Sequence, residues 1–485
     1  MGASEGVIVP PEGTGQHNPA RGKRPYFVHA TDERRIRRLP QRLPTPEKIR
    51  TLQRKLYTKA KREPAFRFYA LYDKVYRADI LTHAYALVRA NRAAPGIDGA
   101  TCASVEANEG EAAFLARLGE QLQHKTYQAD PVRRVRIPKA DGGQRALGIP
   151  TLRDRVVQMA LKLVIEPVFE ADFEDNSYGF RPERSAHEAI DDVAGALAGG
   201  HERVIDADLS QYFDTIPHAN LLAVVAERVS DGAVLALIRQ WLKAPVVDED
   251  DDGRRRNAGG GKGNRRGTPQ GGVISPLLAN TYLHILDRIW ARHDLTRVYG
   301  ARLVRYADDL VILCRGSTSA PMAILRQVLG RLDLQLNESK TRIVDARREA
   351  FDFLGFRIVK RQSRFSGRHY AHVEPSKASV QRVRDRVKQL TDRRRTVLAL
   401  DTVVEEVNRT LRGWSNYFHY RNCSPTFREV KRHAEQRLRT HLRRRFKLGS
   451  RARAYERFSG HVIYERIGLF KLPTSAGPRT AHALV

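Results

Sequence analysis

Residues 301–315 read ARLVRYADDLVILCR. Two apolar, strand-like runs, Leu303–Val304 and Leu310–Leu313, flank Asp308 and Asp309, which stand at the turn between them. Adjacent carboxylates at one turn repel each other. Asp is also a frequent turn former, so the pair alone admits a purely structural reading. The repulsion is relieved if divalent cations bind, because hard Mg2+ takes carboxylate oxygens and leaves its remaining positions to waters and phosphates. A third carboxylate is then required. The stretch VIDADLSQYFDTI, residues 204–216, offers Asp206 and Asp208 on one face of a short strand by its period of two. Asp208, closer to the strand end, is the choice. Carboxylates on two strands can bridge ions about 3.5–4 Å apart, one activating an attacking hydroxyl and one stabilising the leaving oxygen of a phosphoryl transfer.

The composition suits a phosphate-rich partner. A chain of 485 residues divides naturally into two to four compact parts. Its 85 Lys and Arg against 55 Asp and Glu give a net charge of +30, which points to nucleic acid. An anionic membrane is the other cation-seeking surface. No run of about 18 apolar residues occurs, however, and the N-terminus lacks the apolar core of a signal peptide. The expectation is a cytoplasmic protein with no membrane contact. Cys102, Cys314 and Cys423 are too far apart for a disulfide framework or a paired-cysteine zinc site.

Residues 1–44 are rich in Gly, Pro and Arg and read as a flexible basic arm. Helical periodicity runs from Thr45 to Arg89, and Val132–Pro150 reads as two short strands about an Asp-Gly-Gly turn. Helical text follows from Thr151 to about Glu170, and a strand from Val204 to Leu209. The insert VVDEDDDGRRRNAGGGKGNRRG, residues 246–267, is a loop by composition. One strand is expected through Phe351–Ile358, and basic amphipathic helices from Ser376 onward.

With these pieces in order, the chain resembles the reverse transcriptases. Tyr306-Ala307-Asp308-Asp309 looks like their polymerase signature and ADLSQYFD, residues 207–214, like their first acidic motif. GTPQGGVISPLLANTYLHILD (267–287) is similar to the substrate-site motif, SYGFRPERSAHEAI (177–190) to the group II block before the first aspartate, and KADGGQRALGIPTLRDR (139–155) to the fingers motif. LNESKT (336–341) matches the motif after the active hairpin, and FLGF (353–356) the strand that grips the primer. The resemblance implies an α+β, right-hand polymerase. Its N-terminal extension and fingers would span 45–190, its palm with an antiparallel sheet 191–375, and an all-helical thumb or X domain 376–450, before a short basic segment at 451–485.

The resemblance also assigns roles. Asp208, Asp308 and Asp309 would form the acidic triad that holds two Mg2+ ions, Asp309 more peripherally, with the Leu209 carbonyl as a further ligand. Lys139 and Arg145 match the basic fingers pair that closes on the triphosphate of a dNTP, although a solvated hairpin would use the same residues. Gln270 falls beside the nucleotide, where Gly271 and Gly272 let the backbone approach. Phe213, five positions after Asp208, would lie beneath the incoming sugar and select against a 2′-OH; a plain core aromatic is the alternative. Arg181 and Lys340 are further candidates for nucleotide or template contact, each explicable instead by a salt bridge.

RGWSNYFHYRNCSPTFREVKRHAEQRLRTHLRRRFK, residues 412–447, resembles the thumb of group II intron maturases, which binds intron RNA. Trp414, Tyr417, Phe418 and Tyr420 read as helix-packing residues. Arg437–Lys447 carries seven basic residues, His441 included, against no acidic one, so Arg437, Arg439, Arg443, Arg444 and Arg445 are the RNA-binding candidates. YERIGLFKLP, residues 464–473, matches the family's closing pattern. With no paired cysteines after it, a His-Asn-His nuclease is not expected, and the pattern is closest to the endonuclease-lacking bacterial class. The implied function is an RNA-directed DNA polymerase that copies RNA from a DNA primer, assists the splicing of its group II intron and supports retrohoming. A non-enzymatic splicing cofactor and a domesticated polymerase in bacterial defence are the alternatives.

Overall fold

A computed structural model describes residues 43–91, 93–138, 143–249 and 254–481. The expected basic arm lies outside these residues except for its last two. Helix α1 (Glu47–Arg62) buries Ile49, Gln53, Leu56 and Ala60, a 4-3-4 spacing that puts one face inward. The helical text to Arg89 is interrupted around Pro64, where an interior proline cannot donate its helical hydrogen bond, and resumes in α2 (Ala78–Ala90). Both pack on α3 (Leu152–Glu170), which is buried on nearly every side. The Thr151 hydroxyl caps α3 by accepting from the Asp154 N–H at 3.3 Å.

Strands β1 (Val132–Pro138) and β2 (Gln144–Ile149) form the expected antiparallel hairpin. Helix α4 (Ala186–Ala198), opened by a Ser185/Glu188 capping box, leads to β3 (Arg203–Ala207). The insert is not a loop. Val246–Glu249 (β4) pairs parallel to β1, and Arg255–Gly259 (β5) pairs antiparallel to β4, giving one sheet in the order β2-β1-β4-β5. Composition misled here because the acids match a partner strand. Asp248 lies opposite Arg134 in register, accepts from its Nε at 2.6 Å and also takes Arg136 at 3.1 Å. Those guanidinium groups hold the Asp248 carboxyl below its ordinary range.

Helix α5 (Ser275–Arg292) precedes β6 (Ala301–Tyr306) and β7 (Asp309–Cys314), and β8 (Arg342–Asp345) completes an antiparallel sheet in the order β6-β7-β3-β8. This palm sheet is a wall with a core on each side. Ile205, Leu303, Leu310 and Ile312 join the core shared with α1–α3 and α5, whereas Val204, Val304, Val311 and Leu313 join the core shared with α4 and the C-terminal helices. Alternation at period two thus serves two apolar faces instead of one apolar and one wet face.

The single strand expected over Phe351–Ile358 is two, β9 (Phe351–Phe353) and β10 (Phe356–Gln362), followed by β11 (His369–Pro375). Leu354 and Gly355 have φ of +50° and +78°, the paired left-handed conformation of a two-residue hairpin turn. Ser376 caps α6 (Lys377–Leu390), and α7 (Leu400–Phe418) and α8 (Ser424–Arg445) complete the helical thumb. Its aromatics pack as expected: Tyr420 is fully buried, and the Phe356 ring meets Tyr417, Phe418 and Tyr420 at 5.5, 5.1 and 6.1 Å. Among the described residues no helix is long and apolar enough to cross a membrane.

Because the central strands of the palm sheet are covered on both faces, truncation at its centre is expected to be costly. Ile312→Ala should lower stability by roughly 2–5 kcal/mol in a urea titration. Ile343→Ala, at a position 53% exposed on β8, should stay within about 0.5 kcal/mol of the parent.

Candidate active site

Tyr306 pairs with Asp309 at the end of the β6–β7 hairpin, so Ala307 and Asp308 form its two-residue turn. Ala307 has a φ of +58°, a left-handed conformation that costs an L-residue roughly 1–3 kcal/mol. The surroundings impose it. Arg305, fully buried, donates from Nη1 to the Ala307 carbonyl at 2.9 Å and to Asn280 Oδ1 at 3.0 Å. Its Nε reaches both oxygens of the fully buried Asp287 at 3.1 Å, and its Nη2 donates to Asp287 as well. Asn176 donates to Asp287 at 3.0 Å, and Asn280 to the Gly179 carbonyl at 2.6 Å. Gly179 lies so close to the turn that a Cβ there would stand 2.3 Å from the Ala307 nitrogen. Three sequence blocks, around Gly179, along α5 and in β6, are therefore locked together beneath the acidic turn.

Asp208 follows β3 directly. The last β3–β7 pair is Ala207 with Leu310, so the chain leaves the sheet at Asp208 beside the Asp308–Asp309 turn. The turn that follows Leu336 grips it from the other side. The Asp208 carbonyl accepts from the Asn337 N–H at 2.8 Å, its N–H donates to the Thr341 hydroxyl at 3.4 Å, and the Ser210 N–H donates to the Gln335 carbonyl at 2.9 Å. Leu209 sits between these bonds in a bridge to Leu336 and is buried. Lys340 is exposed on the same turn. Asp206, the other acid on that face of β3, is paired with Arg342 at 2.9 Å; burial raises its pKa and Arg342 pulls against that rise.

Asp308 and Asp309 face different neighbours. The charge of Asp308 is felt by the buried Tyr212 hydroxyl, and that of Asp309 by Tyr306 and Tyr417, where it adds to the rise that burial imposes on both phenols. Among the described residues no group of three or more His, Cys, Asp or Glu converges as a ready-made metal cage. The donor set still fits Mg2+, which is held by one or two carboxylates together with substrate phosphates and waters more often than by an all-protein cage.

The substrate-site loop is sewn to both neighbours. The Thr268 N–H donates to the Phe213 carbonyl at 2.7 Å, and the Gly148 N–H of β2 to the Gln270 carbonyl at 2.6 Å. Gln270 Nε2 donates to Asp214 at 3.1 Å. At Gly271, with φ of +117°, a Cβ would stand 2.5 Å from the Gly148 carbonyl oxygen, so only glycine permits this approach. Phe213 is buried, its ring 5.6 Å from Tyr212. Arg145 pairs with Ile137 across the fingers hairpin, and Lys139 lies outside the described residues.

Two expectations are corrected. The Arg181 guanidinium, 3% exposed, is consumed by Glu170 at 2.6 Å and by the carbonyls of Glu174 and Ser177 at 2.6 and 2.7 Å, which ties a loop and is not a nucleotide contact. Arg439 is buried in the thumb, where it donates to the Phe458 carbonyl at 2.9 Å and stacks on Tyr455, so it does not face RNA. Arg437 bonds Thr391 and the Lys388 carbonyl at 3.3 Å each, and Arg445 bonds the Thr396 carbonyl at 2.9 Å; Arg443 is half-buried, and Arg444 is the exposed arginine of that run. Sequence reading missed Arg305, Asp287 and Asn280. A signal existed: Asn280, His284 and Asp287 follow a 4-3 spacing on an otherwise apolar helix face, which marks a buried polar cluster.

A hairpin presenting paired acids beside a third acidic strand end, between a fingers sheet and a helical thumb, defines a right-hand polymerase of the reverse transcriptase class. Residues 137–358 match the family described as reverse transcriptase (RNA-dependent DNA polymerase), and residues 380–459 match the group II intron, maturase-specific domain. Protein YkfC of Escherichia coli (strain K12) is 36% identical over 354 residues, which is 65% of this chain and 90% of that protein. Group II intron-encoded protein LtrA of Lactococcus lactis subsp. cremoris is 29% identical over 360 residues, 61% of this chain and 57% of LtrA. The putative COX1/OXI3 intron 2 protein of Saccharomyces cerevisiae (strain ATCC 204508 / S288c) is 33% identical over 299 residues, 50% of this chain and 34% of that protein. The chain belongs to the group II intron reverse transcriptase and maturase family, and by class it is an RNA-directed DNA polymerase, a nucleotidyltransferase.

Breaking the buried pair is expected to leave an uncompensated charge in the interior. Arg305→Met or Asp287→Leu should each cost roughly 3–5 kcal/mol in a denaturant titration. Gly179→Ala should leave the melting profile closer to that of the parent and lower kcat of primer extension, because the added methyl group displaces the Ala307–Asp308 turn.

Proposed function

We propose that this chain extends a DNA primer on an RNA template from dNTPs at Asp208 and Asp308, and that it binds group II intron RNA to assist splicing. The observation that carries the first part is the docking of the Asp208 strand end, clamped by Asn337 and Thr341, against the Ala307–Asp308 turn held by Arg305. Two Mg2+ ions, taken by Asp208 and Asp308 with Asp309 more peripheral and the Leu209 carbonyl as a further ligand, would supply a lowered pKa for the primer 3′ hydroxyl and neutralisation of phosphate charge. The protein contributes positioning. Lys139 and Arg145 of the fingers motif would meet the triphosphate, where an Arg fork matches phosphate oxygens. Gln270, oriented by Asp214, lines the nucleotide position, and Phe213 closes the space beneath the sugar. Lys340 stands beside the Asp208 clamp, within the turn that supports it.

The intact acids argue for polymerisation alongside splicing assistance, not for a splicing cofactor alone. Because the net charge of +30 favours intron RNA and the acids favour copying it, retrohoming in the cytoplasm is the role in which both are used. Arg444, which is exposed, and the half-buried Arg443 beside it are the thumb arginines we assign to intron phosphates.

Asp308→Asn should abolish Mg2+-dependent primer extension on an RNA template while RNA affinity stays unchanged; equal loss of both would make Asp308 a structural residue. Phe213→Val should raise incorporation of ribonucleotides relative to deoxyribonucleotides in single-nucleotide extension assays, and unchanged discrimination would remove Phe213 from the sugar pocket.

A further inference from the structure

The β6–β7 hairpin has a second end. Ala301 pairs with Cys314 there, five residues along the strand from Tyr306, so this end lies roughly 17 Å from the acidic turn at about 3.4 Å per residue. It opens onto a cleft of about 2000 Å³ between α4, the β10–β11 hairpin and the chain near Arg479. Acids and bases both line this cleft, but their charges do not cancel. Asp175 is paired with Arg184 at 2.8 Å, Asp192 with Arg302 at 2.5 Å and Asp191 with Arg421 at 2.5 Å. Glu188 accepts from the Ser185 N–H at 2.8 Å in the α4 capping box. Arg315, Arg361, Arg364, Arg368 and Arg479 are exposed, and no carboxylate of the described residues lies within ion-pair distance of any of them. The cleft therefore has a cationic surplus: three of its four lining acids are ion-paired, and the fourth, Glu188, is held in a helix cap.

The tip of the β10–β11 hairpin adds a second kind of chemistry. Its sequence, RQSRFSGRHY over residues 361–370, sets Phe365 among Arg361, Arg364 and Arg368, and the Phe365 ring is fully exposed. The loop that carries it is closed: the Ser363 N–H donates to the Arg368 carbonyl and the Gly367 N–H to the Ser363 carbonyl, both at 2.9 Å, and the Ser363 hydroxyl accepts from the Ser366 N–H at 3.2 Å. A bare aromatic ring held out on an ordered tip between arginines matches an unstacked base flanked by its phosphates. Duplex DNA offers no such base, whereas loops and bulges of a folded RNA do.

We propose that this cleft, on the side of the palm remote from the acidic turn, docks a folded RNA, with Phe365 stacking on an unpaired base and Arg315, Arg361, Arg364, Arg368 and Arg479 meeting phosphates. The proposal rests on the reading that the chain binds RNA and says where a second anchor for that RNA lies. With the template held at the acids and the folded RNA held at the far end of the hairpin, one molecule can occupy both surfaces.

The test uses the full chain, a fluorescein-labelled RNA hairpin with an unpaired loop, the same stem as a blunt duplex, and phosphatidylglycerol/phosphatidylcholine vesicles. Parent protein should bind the hairpin; failure of the parent to bind any RNA would sink the RNA-binding reading itself. R361Q/R364Q/R368Q should lower the log–log salt slope of hairpin binding by roughly two, at about 0.7 per lost single-strand contact. Phe365→Ala should weaken hairpin binding roughly tenfold and leave the duplex unchanged. Both variants should extend a short primed template at the parental rate, since none of these residues lies at the acidic turn, and this doubles as the control for folding. An unchanged slope and affinity in the triple variant, a Phe365→Ala loss equal on hairpin and duplex, or a loss confined to vesicle binding would overturn the proposal.

Discussion

The ion pair between Arg305 and Asp287 is the interaction on which the active site depends. Both side chains are fully removed from water, a state that costs several kcal/mol per ion unless every hydrogen-bonding group is matched. Asn176, Asn280 and the Ala307 carbonyl supply the matching. An apolar pair of similar volume could fill the same space without that cost. What it could not do is hold a peptide carbonyl at a fixed point, and the left-handed Ala307 needs such a hold. The expensive pair thus serves geometry, converting a strained turn into a rigid one at the place where two carboxylates have to be presented.

Rigidity spreads from there because the palm sheet is packed on both faces. Along β3, β6 and β7 the buried apolar residues alternate between the core shared with the fingers and the core shared with the thumb, so the sheet cannot tilt against one neighbour without disturbing the other. The same arrangement explains why the fingers loop is sewn to the palm through Gly148, Gln270 and Asp214 by hydrogen bonds, not by a third apolar surface. Polar stitching can open and reform at modest cost.

The acidic hairpin, the β3 strand with Asp208, helix α3 and the helical thumb were legible in the sequence because each is a local pattern: alternation or a helical period. The features that were not legible depend on how other parts of the chain fold over them. For Arg181 the salt bridge that the sequence also allowed is the one formed, with Glu170 eleven residues earlier. Arg439 looked equivalent to Arg443, which lies on the same helix face four residues on, but only Arg439 is covered, by the chain at Tyr455 and Phe458. The Asp-rich insert looked like a loop because its acids find their arginines on β1, more than a hundred residues earlier.

That added hairpin also changes what the fingers sheet shows to other molecules. Without β4 and β5, the β1 backbone would present an open row of donors and acceptors to any extended chain, the usual starting point for unwanted intermolecular pairing. With them, the outermost strand is β5, whose Arg255, Arg256 and Asn257 are exposed and whose Gly259 has a φ of +135°. A short, charged rim with a glycine kink is a poor template for another strand. The hairpin therefore works as a terminator for the sheet, keeping the fingers edge from recruiting a strand of another chain.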